Sequence, residues 1–397
     1  MIPVDDALAI ITAGVGLAPS EVVLLGDALG RVLAADVAAA HDLPPFDQSA
    51  VDGYAVRYAD IARVPVTLPL KGVVAARGYD KRPLLDLGTL MRIFTGGIVP
   101  DGADTIVRQE ATEPGGDERW TVTEEIPLGA DLRRAGEEVA AGAVIAAAGT
   151  LVTPGVIGAV ALGGADKVAV RATSRVTAFV SGDEVVPLGQ SLQLGEVPDT
   201  NGPLMTALLQ SWGVAPIAVS HLADTEAAVR DALDDAFATS DIVVTSGGVS
   251  VGDYDFIPAA AQALGAEVLL HKVAQKPGMP LFVARRGESL LLGLPGNPGA
   301  VFVNMHVYVR AALDTLAGLD PRARWRRAAM PDGVRRERGK VFWLRAVARY
   351  DDTGAVRLEQ LGHQASHMLS NLTDANALVR IPPEGVAADF VDWLPLA

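Results

Sequence analysis

From Arg175 onward, short runs of aliphatic and β-branched residues alternate with longer stretches carrying apolar residues at helical spacing. The runs predict strands at Val176–Val180, Val214–Ser220, Ile242–Val244, Glu267–Val273, Leu281–Ala284 and Ser289–Leu294. The longer stretches predict helices from Thr200 to about Trp212, from Asp224 through Phe237, from about Tyr254 to Leu264 and from Gly299 to Leu316. Asn297 and Pro298 suit the N-cap and N1 positions of the last one. Alternation on this scale predicts a doubly wound, mostly parallel α/β domain, in which ligands bind beyond the carboxyl ends of the strands.

The flanking pattern differs. Met1–Asp36 reads as a helix followed by strand-like Leu/Val material. Val51–Val56 enters a strand, and Val64–Glu137 carries short apolar runs between Gly, Pro and Asp turns, which predicts a β region. Val139–Ala165 is uncharged and longer than the ~20 residues a membrane span needs. Its many glycines and Pro154 predict instead a strand (Ala143–Ala148), a turn and a helix started by Thr153-Pro154. Leu319–Lys340 is rich in arginine and reads as a solvated connector, since only Trp325 interrupts it as an aromatic. Val341–Ala397 is β again.

Composition narrows the function. The chain has 397 residues, 33 Lys and Arg against 48 Asp and Glu, and a net charge of −15. That balance argues against general nucleic-acid binding and against an anionic membrane surface. An anionic ligand then requires local neutralisation by N–H groups, Lys or Arg, or a metal. The absence of Cys removes disulfides, thiolate nucleophiles and Cys-ligated metals, and suits a cytoplasmic protein. MIPVDDALAI has no basic region of the kind that opens a secretory signal.

Candidate chemistry gathers at the expected strand ends. Ile242–Phe256 runs from a buried strand into Thr245-Ser246-Gly247-Gly248 and then Ser250, Asp253 and Asp255 before a helix. This layout offers N–H donors to a phosphate and carboxylates to Mg²⁺; it equally describes a plain βα turn with an Asp N-cap. The other rim loops are Ser181–Glu184, His221–Asp224, Gln275–Pro280 and Pro295–Pro298, bringing Glu184, Asp224 and Lys276. Asp224 reads equally as an N-cap, and Glu184 and Lys276 as surface loop residues. Together the five loops fit Mg²⁺-assisted handling of a phosphate or phosphoanhydride. Outside this region, Asp52 before Gly53 and Thr95 before Gly96-Gly97 read as turn residues or as an acid and an oxyanion donor. Arg133-Arg134 and Glu137-Glu138 read as a solvated charged face. His363 and His367 have the spacing of helical metal ligands, but Gly362 and the flanking strands place them in a loop.

Several strings together resemble the MoeA family of molybdopterin molybdenumtransferases, related to the E domain of gephyrin: PPFDQSAVDGYAVR, FTGGIVPDGADTIV, LRRAGEEV, VSGDEV, DTN, TSGGVSVGDYDF, QKPGMP, LPGNP and GHQASH. The resemblance implies a discontinuous N-terminal domain (1–40 with 139–170), an inserted β-rich domain (41–138), an α/β molybdopterin-binding domain (171–320) and a small C-terminal β-barrel (321–397). It also implies a homodimer with composite active sites and Mg²⁺-dependent insertion of molybdate into adenylylated molybdopterin with loss of AMP. The matching functional positions are Asp52, Thr95, Glu184, Asp224 and Asp255, with Glu184 and Asp255 as the expected metal ligands. Gly247, Gly248, Ser250, Lys276-Pro277-Gly278 and Pro295-Gly296-Asn297-Pro298 fall on the ligand-binding loops, with Arg345 and Ser366 expected to help hold the oxyanion.

Three positions depart from the family pattern. Met279 stands where KPGKP has a second lysine, Glu137-Glu138 where the acidic pair ends in Asp, and Gly299-Ala300 where a hydroxyl often follows LPGNP. Met279 leaves open a pterin-binding carrier without turnover, whereas the four acids favour the enzyme. Adenylylation of molybdopterin is disfavoured by the N-terminal β region and the GHQASH tail, and an unrelated nucleotide hydrolase by the absence of a GxxxxGK[ST] loop.

Overall fold

A computed structural model describes residues 1–214, 219–249 and 255–396. Ser250 and Asp253 lie outside them. The chain divides into two compact units, one of residues 1–21, 30–32 and 170–397, the other of residues 22–29 and 33–169.

The first unit is built on a sheet of six strands among the described residues: β1 (Val176–Ser181), β2 (Val219–Leu222), β3 (Ile242–Ser246), β4 (Glu267–His271), β5 (Phe282–Arg286) and β6 (Ser289–Leu294). Their order is β2-β1-β3-β6-β5-β4. The first four are parallel, in register from Val176 opposite Ile242 and Ile242 opposite Leu290. Strands β5 and β4 each reverse direction, so the two reversals cancel and β4 points the same way as β6. The loop after β4 therefore opens at the same edge as those after β1, β2, β3 and β6. Strand β3 is buried along its whole length, as its unbroken apolar run requires between two helical layers.

The helices follow the periodicity: α1 (Asn201–Ser211), α2 (Glu226–Thr239), α3 (Phe256–Ala263) and α4 (Pro298–Asn304). Asn297 takes the N-cap position and Pro298 sits in the first turn of α4, which continues through a π-helical turn at Met305–Val309 into Arg310–Ala317 and stops at Gly318. One expectation fails at α2. Its N-cap is Thr225, whose hydroxyl accepts from Ala228 N at 3.4 Å, not Asp224. Helix Val4–Ala13 buries Val4, Ala7 and Ile11 in the same core as β1, β3 and β6. Residues 1–21 thus pack with the α/β sheet, and residues 1–40 are not a single piece.

The C-terminal residues form a second sheet in this unit, ordered Gln275–Lys276, Val341–Tyr350, Ala377–Ile381, Phe390–Pro395, Arg326–Ala329, with Val356–Gln360 paired to Val341–Tyr350. Arg326–Ala329 also lies beside Val356–Gln360, so the sheet curls into a half-barrel rather than closing by a ladder. Arg326–Ala329 corrects the expected connector, which is a strand over these residues. The first pair in the sheet is parallel, Gln275 opposite Val341 and Lys276 opposite Phe342, so a loop of the α/β sheet is itself an edge strand of the C-terminal one.

The side chain of Gln275 fixes that junction. It is fully buried, and its Nε2 donates to Gly278 O and to Asn304 Oδ1, both at 2.8 Å. Its Oε1 accepts from the Tyr308 hydroxyl at 2.7 Å and from Trp343 Nε1 at 2.9 Å. Both amide hydrogens and both lone pairs are used, which is the condition for a buried polar group to stabilise rather than cost. Burial pushes the Tyr308 phenol up, so it remains a donor.

The second unit holds a six-stranded sheet ordered Thr105–Arg108, Gly53–Val56, Leu90–Ile93, Val66–Val74, Arg119–Val122, Thr112–Gly116, around Tyr54, Leu68, Leu90 and Val107. Val144–Ala146 pairs with Val37–Ala38, and helix Pro154–Leu162 starts as read, with the Thr153 hydroxyl accepting from Val156 N at 3.3 Å. No helix among the described residues is long and apolar enough to cross a membrane. Arg134 is not a merely solvated charge: it donates to Asp47 at 2.7 Å and fastens its loop.

Replacing Gln275 by Leu strands the buried Tyr308 O–H and Trp343 N–H, among other groups, and is expected to cost about 3 kcal/mol. Urea unfolding of the wild type and variant measures it.

Candidate active site

The strand-end edge of the α/β sheet has an acidic end and a basic end. At the acidic end, the loops after β1 and β2 meet. The Asp183 N–H donates to Asp224 Oδ2 at 3.2 Å. Burial raises the Asp224 carboxyl above its ordinary value, and the charges of Asp183 and Glu184 raise it further against those loop N–H bonds. With Thr225 capping the helix, Asp224 is available for chemistry. Asp255 takes the N-cap position of α3 without a capping bond from its side chain.

Between the two ends lies the glycine loop. Gly247 and Gly248 have φ of 96° and 69°, and a Cβ on Gly247 would meet Ser181 Oγ at 2.6 Å, so only glycine suits this turn. Asn201, which sequence reasoning did not single out beyond the DTN string, donates from Nδ2 to Ser246 Oγ at 2.7 Å and to Gly296 O at 2.8 Å. It binds the loop after β3 to the one after β6.

The basic end is a cavity of about 570 Å³ between the α/β loops and the C-terminal sheet. Lys276, Pro277, Gly278, Pro295, Asn297 and Ser366, all expected from the sequence, line it together. So do Arg335, Glu337 and Lys340, which the connector reading of Leu319–Lys340 passed over as part of a run rich in charge. Lys276 Nζ donates to Glu337 Oε1 at 2.9 Å, and Arg335 Nε lies 3.1 Å from the same oxygen.

Arg345 is not among the cavity's lining residues. It is 2% exposed and donates to the carbonyls of His363 at 2.8 Å, Ala365 at 3.0 Å and Met368, so it shapes the GHQASH loop from behind. Burial lowers its pKa. Among the described residues none of the hydrogen bonds from its guanidinium reaches a carboxylate, so its charge adds to the positive field behind Ser366. Gly299 permits the loop's approach: its N–H donates to Ser366 O at 2.7 Å, and a Cβ there would stand 2.8 Å from that oxygen.

In the second unit, Asp52 and Thr95 are brought together. Thr95 donates to Asp52 Oδ1 from its backbone N and from its hydroxyl, each at 2.8 Å. Those bonds, the backbone one foremost, lower the Asp52 pKa and keep an exposed carboxylate ionised. His363 has φ of 55° in a loop, as expected, and no cluster of three or more His, Asp or Glu that could hold a metal exists among the described residues.

Residues 2–164 match the MoeA N-terminal region (domain I and II), 178–315 a probable molybdopterin binding domain, and 327–396 the MoeA C-terminal region (domain IV). The chain is 35% identical, over 91% of its length and 85% of the relative's, to a molybdopterin molybdenumtransferase of Nostoc sp.. The chain belongs to the MoeA family. A second relative, molybdopterin molybdenumtransferase 2 of Mycobacterium tuberculosis, is 36% identical over 91% of both chains. A molybdopterin biosynthesis MoeA protein from Pyrococcus horikoshii OT3 superposes with a TM-score of 0.82 at 25% identity, covering 100% of each chain. This MoeA chain thus keeps the fold over its whole length.

Asp224 predicts a pH effect of definite sign. A carboxyl whose folded pKa is raised subtracts stability as pH rises from its unfolded value through the folded one. Asp224→Asn, which keeps an acceptor for the Asp183 N–H, is expected to melt like the wild type at acidic pH and higher at neutral pH. Thermal melts across that range test it.

Proposed function

We propose that this MoeA chain is a molybdopterin molybdenumtransferase, which inserts molybdate into adenylylated molybdopterin with release of AMP during molybdenum cofactor biosynthesis. The observation that carries the reading is the cavity where the KPG, PGN and GHQASH loops meet. It gathers cations in a protein of charge −15, at the sheet edge that also carries the glycine loop and the acids. Every ligand in this reaction is an anion, and this edge supplies what an acidic protein needs to bind one.

In this reading the N–H groups of Gly247-Gly248 hold phosphate, while the Lys276 ammonium, Ser366 and the Pro277–Gly278 turn hold the molybdate oxyanion. Pro295-Gly296-Asn297-Pro298 form the wall between them. AMP leaves as an oxygen nucleophile attacks the phosphoanhydride. Asp224 suits the orientation and deprotonation of that oxygen, because a raised pKa makes it the stronger base. Asp52, held ionised by Thr95, is the other acid open to this role.

Mg²⁺ suits the acidic end, where the Asp183 loop closes over Asp224 and brings Glu184 near it. Magnesium needs only one or two carboxylates beside substrate phosphates, and Glu184 and Asp255 are the proposed ligands. Bound there, it supplies charge neutralisation at the phosphoanhydride oxygens. We also propose a cytoplasmic homodimer with composite active sites. The carrier reading is not favoured, since the relatives are named as transferases along most of their length.

Purified protein given adenylylated molybdopterin, molybdate and Mg²⁺ is expected to release AMP only when molybdate is present. Asp255→Ala, which removes a proposed metal ligand, is expected to lower the rate by about 100-fold or more. Tight pterin binding without AMP release would overturn the enzyme in favour of the carrier.

A further inference from the structure

The cavity's charges are unevenly committed. Among its lining residues the charged ones are Lys276, Arg335, Lys340 and Glu337, three positive against one negative, a net of +2. Glu337 is spoken for twice, by Lys276 at 2.9 Å and Arg335 at 3.1 Å, both on the same Oε1. Lys340 forms no ion pair among the described residues. Its ammonium lies 3.7 Å from the thioether sulfur of Met279, a weak acceptor. The Glu337 side chain is 16% exposed while that of Lys276 is 49% exposed, so the carboxylate is the more enclosed partner of that pair.

We propose that Lys340 is the oxyanion-binding cation of this cavity, and that Glu337 is a built-in competitor that holds the place of a second oxyanion contact on Lys276 and Arg335. The proposal rests on reading the cavity as the molybdate site and adds to it the residues that set affinity. A doubly charged tetrahedral oxyanion matches the net charge. It meets Lys340 first, since that ammonium forms no ion pair among the described residues. It gains Lys276 only by drawing it from Glu337, whose carboxyl is held ionised by Lys276 foremost and by Arg335 and Lys340. A neutral or singly charged solute gains less from the exchange than it costs, so the arrangement selects for charge.

Lys340 also accounts for Met279. The cation missing from the KPGMP loop is present across the cavity, on the strand-side residue that touches the position where it would stand.

Isothermal titration calorimetry of the full chain with inorganic molybdate, and with tungstate and sulfate, tests this at fixed low salt. Lys340→Met is expected to weaken molybdate binding about tenfold, as loss of one charge-assisted contact does. Adding Met279→Lys to that variant is expected to recover most of the loss. Glu337→Gln is expected to tighten binding several-fold, an opposite sign that misfolding does not produce. Wild-type protein that binds none of the three oxyanions overturns the cavity reading and this proposal with it. Wild-type protein that binds molybdate, with Lys340→Met unchanged or Glu337→Gln weakened, overturns the charge arrangement alone and leaves the AMP-release reading standing.

Discussion

The buried amide of Gln275 is the contact on which the architecture of the site depends. Four partners from three segments converge on one side chain: the Gly278 carbonyl of its own loop, Asn304 and Tyr308 from the helical run after β6, and Trp343 from the C-terminal sheet. Its backbone meanwhile starts an edge strand of that sheet opposite Val341. Position, orientation and strand register of the lysine loop are thus set by one residue, and Lys276 is its immediate neighbour. A hub in which every donor and acceptor is used tolerates no isosteric apolar substitute, because each partner left behind is itself buried.

Around that hub the electrostatics divide the work. The carboxylates collect where β1 and β2 end and the ammonium and guanidinium groups where β4 and the C-terminal sheet meet. Neither end could serve both halves of the proposed chemistry. A divalent cation needs negative charge and an oxyanion needs the opposite, so in the proposed reaction a ligand carrying phosphates bridges the two ends across the glycine loop. The buried guanidinium of Arg345 holds the GHQASH loop by its carbonyls and brings positive charge behind Ser366.

Much of this was legible in the chain. Strand β6 and the caps of α4 and of helix Pro154–Leu162 follow from local patterning, because aliphatic runs and Asn-Pro or Thr-Pro starts act within a few residues. The loops that line the cavity could be named because each carries its own Gly and Pro punctuation. What was not legible depends on partners distant in sequence. Asp224 has the look of a cap, and only the fold shows Thr225 taking that task while the Asp183 loop closes over the acid. Asp52 and Thr95 are 43 residues apart, and nothing local announces their pairing. Arg335, Glu337 and Lys340 sit in a run of charges whose periodicity is uninformative, so their convergence on one cavity had no signature.

The two reversals at β4 and β5 carry a consequence for how this lineage is free to vary. Chain direction is a parity: an even number of turnabouts after the lysine loop returns the Pro295–Pro298 loop to the same ligand edge, and an odd number would deliver it to the far one. Gain or loss of a single strand there would invert the polarity of everything downstream up to the next crossover. Drift in this part of the sheet is therefore confined to whole hairpins, however permissive the surface positions on either strand are.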